Sequence, residues 1–187
     1  MSATAARTRA DAVRNRERVV AAAAEVFAEK GEAAVVPEIA ALAGVGKGTV
    51  YRCFPTKDHL VAAVASERVR WFEREARAAA AAADPWAAFG AFVERAAEAY
   101  WSDRGMVASM SQSIELSELV EARAAAHDAL GELIARAVAQ GVMRADAEPG
   151  DLKILLGGIA RSLAAAQEFD PAVWRRYARF VVDALRA

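Results

Sequence analysis

Between Lys47 and Lys57 the chain gathers side chains whose types suit a polyanion. Lys47, Thr49, Tyr51 and Arg52 set a cation, a hydroxyl, a phenol and a second cation within one short stretch. Such groups donate hydrogen bonds to phosphate oxygens and to base edges. Gly48 lacks a Cβ, so the backbone there can approach a ligand closely. Lys57 falls in the first turn of a helix, where the helix dipole disfavours a cation, and a phosphate nearby explains that placement. Other chemistries find no candidates. Cys53 is the only cysteine, so no intrachain disulfide and no multi-cysteine zinc site is expected. Cys53 reads either as a tolerated small residue or, in its basic surroundings, as a redox-sensitive thiol. His59 and His127 are 68 residues apart and have no partners at metal-ligand spacing. No glycine-rich phosphate loop or nucleophile elbow occurs, so neither a catalytic residue nor a metal or cofactor is expected.

The elements that would position these groups follow from apolar periodicity and punctuation. Residues 1–10 are small, polar and basic and read as a mobile arm. A helix over 12–30 carries Val19, Val20, Ala23, Val26 and Phe27 at spacings of three and four, and Gly31 ends it. Pro37 suits the first turn of a helix over 37–43, with Ile39, Leu42 and Ala43 inward. Gly44-Val45-Gly46 makes a tight turn into a helix over 47–53, in which Val50 and Phe54 share a face. Two short helices about a glycine turn form a helix-turn-helix, whose second helix enters the DNA major groove. Thr56 is the expected N-cap of a helix over 57–83, and Asp84-Pro85 opens one over 85–102. Further helices are expected over 106–115, 117–140, 151–167 and from Pro171, with residues 142–150 as a loop. The total is about nine helices and no strands.

Composition agrees with an all-α chain. Alanine, the strongest helix former, supplies 50 of 187 residues, and only 5 are proline. The net charge of −1 gives no hint of nucleic acid, but its distribution does. Residues 1–60 carry 9 basic and 7 acidic side chains, and residues 61–187 carry 15 and 18. Five arginines lie between Arg7 and Arg18, as a DNA-tracking arm or a solubilising tail. No apolar run is long enough to cross a membrane and no apolar leader segment occurs, so a cytoplasmic location is expected.

The stretch from Glu38 to Leu60 resembles the TetR/AcrR family of bacterial transcriptional regulators. The resemblance rests on Ile39-Ala40, Ala43-Gly44-Val45, Gly48-Thr49-Val50-Tyr51, Phe54-Pro55-Thr56-Lys57 and Leu60 at fixed spacing. It covers roughly residues 14–64. Three positions differ from the family's common pattern. Val35-Val36-Pro37 stands where a Ser or Thr N-cap is frequent, Gly46 where Ser is common, and Cys53 where an aromatic or His often meets phosphate. The resemblance implies a DNA-binding domain over 11–56 and a helical effector-binding and dimerisation domain over 57–187. It implies Lys47, Gly48, Thr49, Tyr51, Arg52 and Lys57 at the DNA. It further implies a homodimeric repressor of a palindromic operator, released by a small apolar or aromatic effector.

For the second domain the expectations are broader. Trp86, Phe89, Tyr100, Met106 and Met110 are either core or the aromatic wall of an effector pocket, with Ser109, Gln112, His127 and Arg161 as its polar groups. His127 reads first as a satisfied core histidine beside Val120, Leu130 and Ile134. Gly157-Gly158 inside an apolar helix costs about 1 kcal/mol per glycine relative to alanine, which a closely packed partner helix offsets. Leu156, Gly157, Ile159, Trp174, Tyr177 and Val181 are therefore expected at a dimer interface. Two rivals remain at this point: a DNA-binding protein without effector, and an all-helical enzyme or adaptor.

Overall fold

The computed structural model describes residues 3–103, 105–106 and 114–187, with side chains except those of residues 3–9 and 32. Among these, eight helices are delimited: α1 Ala3–Lys30, α2 Val36–Ala43, α3 Lys47–Cys53, α4 Lys57–Ala80, α5 Pro85–Ser102, α6 Ser117–Ala139, α7 Pro149–Ala165 and α8 Pro171–Ala184. A 3-10 turn, Gly31–Ala33, follows α1. Most of the helix expected over 106–115 lies outside the described residues. Gly105 and Met106 are helical, whereas residues 114–116 are not.

Local chemistry explains most boundaries. The Thr56 hydroxyl accepts from the His59 N–H, and the Asp84 and Asp170 carboxylates accept from the first N–H groups of α5 and α8. Gly44, at φ 63°, closes α2 in the left-handed conformation that glycine adopts without a steric cost. Two boundaries differ from expectation. α1 reaches back to Ala3, through the segment expected as an arm, because that segment is alanine- and arginine-rich and holds neither Gly nor Pro. α7 starts at Pro149 rather than 151, because Glu148 and Asp151 form a reciprocal capping box.

Packing divides into a small head and a larger body. In the head, Val19, Val20, Ala23 and Val26 of α1 meet Ile39, Ala40 and Ala43 of α2, Val50 of α3 and Leu60 and Val64 of α4. In the body, α4 and α6 run side by side. Ala62, Ala65 and Val69 pack on Leu119, Ala122 and Ala126, and further along Phe72 and Ala76 share a core with Ala129 and Leu133. The alternation of three- and four-residue steps on both helices is the knobs-into-holes pattern. Alanine at so many seam positions lets the axes approach toward the short end of the usual 8–10 Å range. α5, α7 and α8 close the body around Phe89, Phe92, Tyr100, Leu156 and Trp174. The two ends of α8 are fixed. Trp174 Nε1 donates to the Glu168 carbonyl at 2.9 Å, and after the helix Met143 and Arg186 form an isolated antiparallel bridge. No described helix is long and apolar enough to cross a membrane.

Candidate nucleic-acid interface and effector cleft

α3 is seven residues long and is anchored through one side. Val50 and Phe54 are buried in the head core, and Thr49 is half-buried. The opposite side is solvent-facing: Lys47, Gly48 and Arg52 are exposed and Tyr51 is 51% exposed. Among the described residues, nothing beyond its chain neighbours and its own helix backbone comes within 4 Å of a Cβ built at Gly48, which is exposed. The turn that sets α3 is held twice. The Val45 N–H bonds the Ala40 carbonyl at 3.0 Å, and the Arg18 guanidinium donates to the Gly44 carbonyl at 3.4 Å. α3 itself opens on Gly46, whose carbonyl accepts the Thr49 N–H at 2.9 Å without any side-chain cap.

Lys57 lies in the first turn of α4, as the spacing predicts, with its ammonium 6.0 Å from the Phe27 ring centre. That contact holds the cation against the head beside α3. The first turn of α4 also leaves backbone N–H groups unpaired within the helix, the geometry that suits an anion. Lys30 and Glu38 tie α1 to α2 at 2.7 Å. Each stabilises the other's charged form: the hydrogen bond to Lys30 holds the Glu38 carboxyl below its usual range, and that to Glu38 raises the Lys30 ammonium.

The expected pocket is not where the aromatic residues stand. Phe89 is fully buried, Tyr100 lies between Phe72 and Trp174 at 5.7 and 6.4 Å, and Trp86 stacks on Phe89 at 5.8 Å. Phe89 and Tyr100 belong to the core of the body, and Trp86 packs half-buried against it. Burial pushes the Tyr100 phenol up to about 12, against a smaller opposing effect of the nearby Arg161 charge. His127 is exposed, not a core or pocket-lining histidine: the buried stripe of α6 runs through Ala122, Ala126 and Ala129 and leaves it outside. Arg161 is exposed as well. Ser109, Met110 and Gln112 lie outside the described residues.

An open cleft of about 800 Å³ lies instead between α1, α4 and α5. Val20, Ala24, Val64, Trp71 and Met106 supply its apolar surface, with Arg74 and Glu98 among its charged groups. Of the described residues expected at a pocket, Trp86, Phe89, Tyr100, Met106, His127 and Arg161, only Met106 lines it. Its lower wall belongs to the head, so a molecule bound there touches α1 directly. Near its end, Arg68 is buried within the apolar stripe of α4. It pairs with Asp103 at 2.5 Å and donates to the Gly105 carbonyl at 2.8 Å. Sequence reasoning missed this clamp. The available signal was an arginine at the seventh position after Val61, in register with Val64 and Phe72.

The residues expected at a dimer interface separate into two groups. Leu156, Trp174 and Val181 are buried within the subunit, Trp174 at 1% exposure, and so belong to its own core. These three side chains lie on the inward side of α7 and α8, which faces the subunit's own core. Gly157, Ile159 and Tyr177 are half-buried at the edge. The outer surface presents Ile154, 70% exposed, and Phe180, 49% exposed and edge-on to Tyr177 at 5.8 Å. Gly157 and Gly158 are half-buried, and among the described residues the Arg161 guanidinium, at 3.6 and 4.0 Å, is what a Cβ built on them would meet.

Known proteins give a consistent picture. Residues 19–64 match the family model described as bacterial regulatory proteins, tetR family. Residues 84–187 match that of the SbtR-like transcriptional regulator C-terminal domain. A TetR transcription regulatory protein from Mycobacterium vanbaalenii is 37% identical, with 96% of this chain and 99% of that one covered and a TM-score of 0.62. The TetR transcriptional regulator SCO0520 from Streptomyces coelicolor is 30% identical over 91% and 98% of the two chains, with a TM-score of 0.68. The fatty acid degradation regulator FadR from Bacillus halodurans, 21% identical over 91% and 99%, shares the fold with a TM-score of 0.73. No curated protein matches the chain.

Proposed function

The chain belongs to the TetR family of bacterial regulatory proteins and is a DNA-binding transcriptional regulator, and from this premise we propose that it is a homodimeric, ligand-released repressor of a palindromic operator. The observation that carries the reading is the outward face of α3. Lys47, Thr49, Tyr51 and Arg52 line a helix that the head core holds through Val50 and Phe54. Tyr51 and Lys47 reach base edges and phosphate, Arg52 reads a base, and Lys57 with the first turn of α4 clamps the backbone. Dimerisation uses the outer surface of α7 and α8. Tyr177 and Phe180, in contact on α8, and the exposed Ile154 of α7 supply apolar surface to it, and Gly157 and Gly158 let a partner helix come close. Two recognition helices on one dimer must match two half-sites at fixed spacing, so a modest rotation of the heads disrupts both together.

Effector binding is assigned to the cleft between α1, α4 and α5. It suits a molecule with an apolar or aromatic body, and its lower wall is the helix that carries the head. A second reading, a regulator without effector, is favoured by the close filling of the body around Phe89, Tyr100 and Trp174. The experiment is selection of DNA from a random pool with the purified full-length protein, followed by mobility shift of the selected site. A palindromic site bound with a steep salt dependence supports the reading. Binding that is indifferent to sequence, or unaltered by Tyr51→Ala, overturns it. Release of the selected DNA by a small molecule, blocked by Ala24→Trp in the cleft, separates the two readings.

A further inference from the structure

One arginine of the head is committed to the body rather than to DNA. Arg16, on α1, directs its Nη2 group at both oxygens of Glu118, at 2.8 and 2.7 Å, across 102 residues of sequence. The same guanidinium lies over the Phe54 ring, 5.1 Å from its centre. Phe54 is the residue that ends α3: its N–H caps the helix on the Val50 carbonyl at 2.8 Å, and its ring is buried in the head core. Glu118 is in the first turn of α6, where the helix dipole favours a carboxylate. Arg70 of α4 holds it from the other side at 3.3 Å and pairs in turn with Glu67 at 2.8 Å. One side chain thus bridges the end of the recognition helix and the start of the longest helix that the body packs against α4.

We propose that Arg16 and Glu118 are positioning residues that fix the angle of the recognition helix relative to the dimerisation body. The pair is only about one-third exposed on either side, so solvent screens it less than a surface pair. Its partner Phe54 moves with α3, since the two share a backbone hydrogen bond and a core. A carboxylate 2.7 Å away also neutralises Arg16 for phosphate, which removes it from the set of DNA-tracking arginines that the sequence suggests. Arg16 lines the effector cleft as well, and on the reading that the cleft holds the effector, the bound molecule acts on this tie.

The test compares wild type, Arg16→Ala, Glu118→Ala and the double variant on the selected operator and on operators with half-sites moved apart or together by single base pairs. Thermal unfolding of each variant is followed alongside, and Glu118→Gln, which keeps the volume and removes the charge, replaces Glu118→Ala if that variant does not fold. A loss of fold lowers binding to all spacings equally, whereas a loss of positioning flattens the preference among them. The expected result is that each single variant loses about fivefold or more of the wild-type discrimination, and that the double variant is no worse than the single ones, as for coupled residues. The proposal is overturned if Glu118→Ala keeps the wild-type spacing profile, or if it binds more tightly and the two effects simply add, which is the behaviour of an Arg16 that contacts phosphate. A wild type without any spacing preference refutes the dimer reading instead; the tie is then judged on affinity alone, where non-additive losses support it and additive ones overturn it.

Discussion

Gly105 stands at a three-way contact, and replacing it by alanine gives a test whose sign is diagnostic. A Cβ there would meet the Ala28 Cβ at 2.9 Å, the Ala28 Cα at 3.1 Å and Arg68 Nη2 at 3.0 Å. Neither neighbour can step aside easily. Ala28 is part of the rigid α1 helix, and the Arg68 guanidinium is fixed by Asp103 and by the Gly105 carbonyl. Helix propensity alone favours Gly105→Ala by up to about 1 kcal/mol. Overpacking of this kind costs about 1–3 kcal/mol. The net expectation is a destabilisation of up to about 2 kcal/mol, the difference of these two effects when the full propensity gain is realised. Urea unfolding of wild type, Gly105→Ala, Ala28→Gly and the double variant measures it. Ala28→Gly weakens α1 by about 1 kcal/mol but opens the space that the new methyl needs. The double variant should therefore be about 1 kcal/mol or more above the sum of the single changes. A Gly105→Ala protein more stable than wild type, or strictly additive effects, refutes the close approach of the body to α1.

Other consequences are measurable in the same material. Tyr51→Ala should weaken operator binding by about 1–3 kcal/mol per half-site, while Lys57→Ala weakens all sequences alike and lowers the salt slope by about one per subunit, both read by mobility shift at several salt concentrations. Tyr100 is protonated in the folded chain up to about 12, above its unfolded value near 10, so the stability it contributes is present below about pH 10 and is lost as pH rises through 12. The loss reaches about 3 kcal/mol, and alkaline unfolding curves of Tyr100→Phe should lack it; coincident curves would contradict the burial of the phenol. Ile154→Asp or Phe180→Asp places a charge on the outer surface of α7 and α8, and on the proposed reading sedimentation should find a dimeric wild type and monomeric variants; dimeric variants would contradict that interface.

The head was legible because its signals are local. Gly44 in the left-handed region, Thr56 as a cap and the Val50–Phe54 face are each dictated within five residues and appear where the sequence puts them, whereas Leu42, expected inward, is 54% exposed. The body was legible in its helices and much less so in its facing. Trp174 and Val181 carry an apolar stripe that fits a core and an interface equally well, and only the packing of α5 against α8 decides between them. His127 follows the same logic: the many alanines of α6 can lie on either side, so hydrophobic spacing cannot say which side is buried. The cleft was invisible because its walls come from α1, α4 and α5, and no single segment shows the pattern. Arg16–Glu118 and Arg68–Asp103 are long-range pairs, and one sequence holds no trace of which charge meets which.

The anchoring of α8 has a mechanical meaning. At its start the Asp170 carboxylate and the Trp174 indole tie it to the preceding loop, and at its end Arg144 N–H reaches the Leu185 carbonyl at 3.1 Å while Ala187 N–H reaches Val142 at 3.3 Å. A rod clamped at both ends neither frays nor pivots, so this end of the molecule behaves as a stiff foundation. The head, in contrast, rests on one shaft, α4, and on a few side-chain struts. On the proposed reading, a load applied by a molecule in the cleft is taken up as rotation about that shaft, at the end of the lever where a small angle becomes the largest displacement.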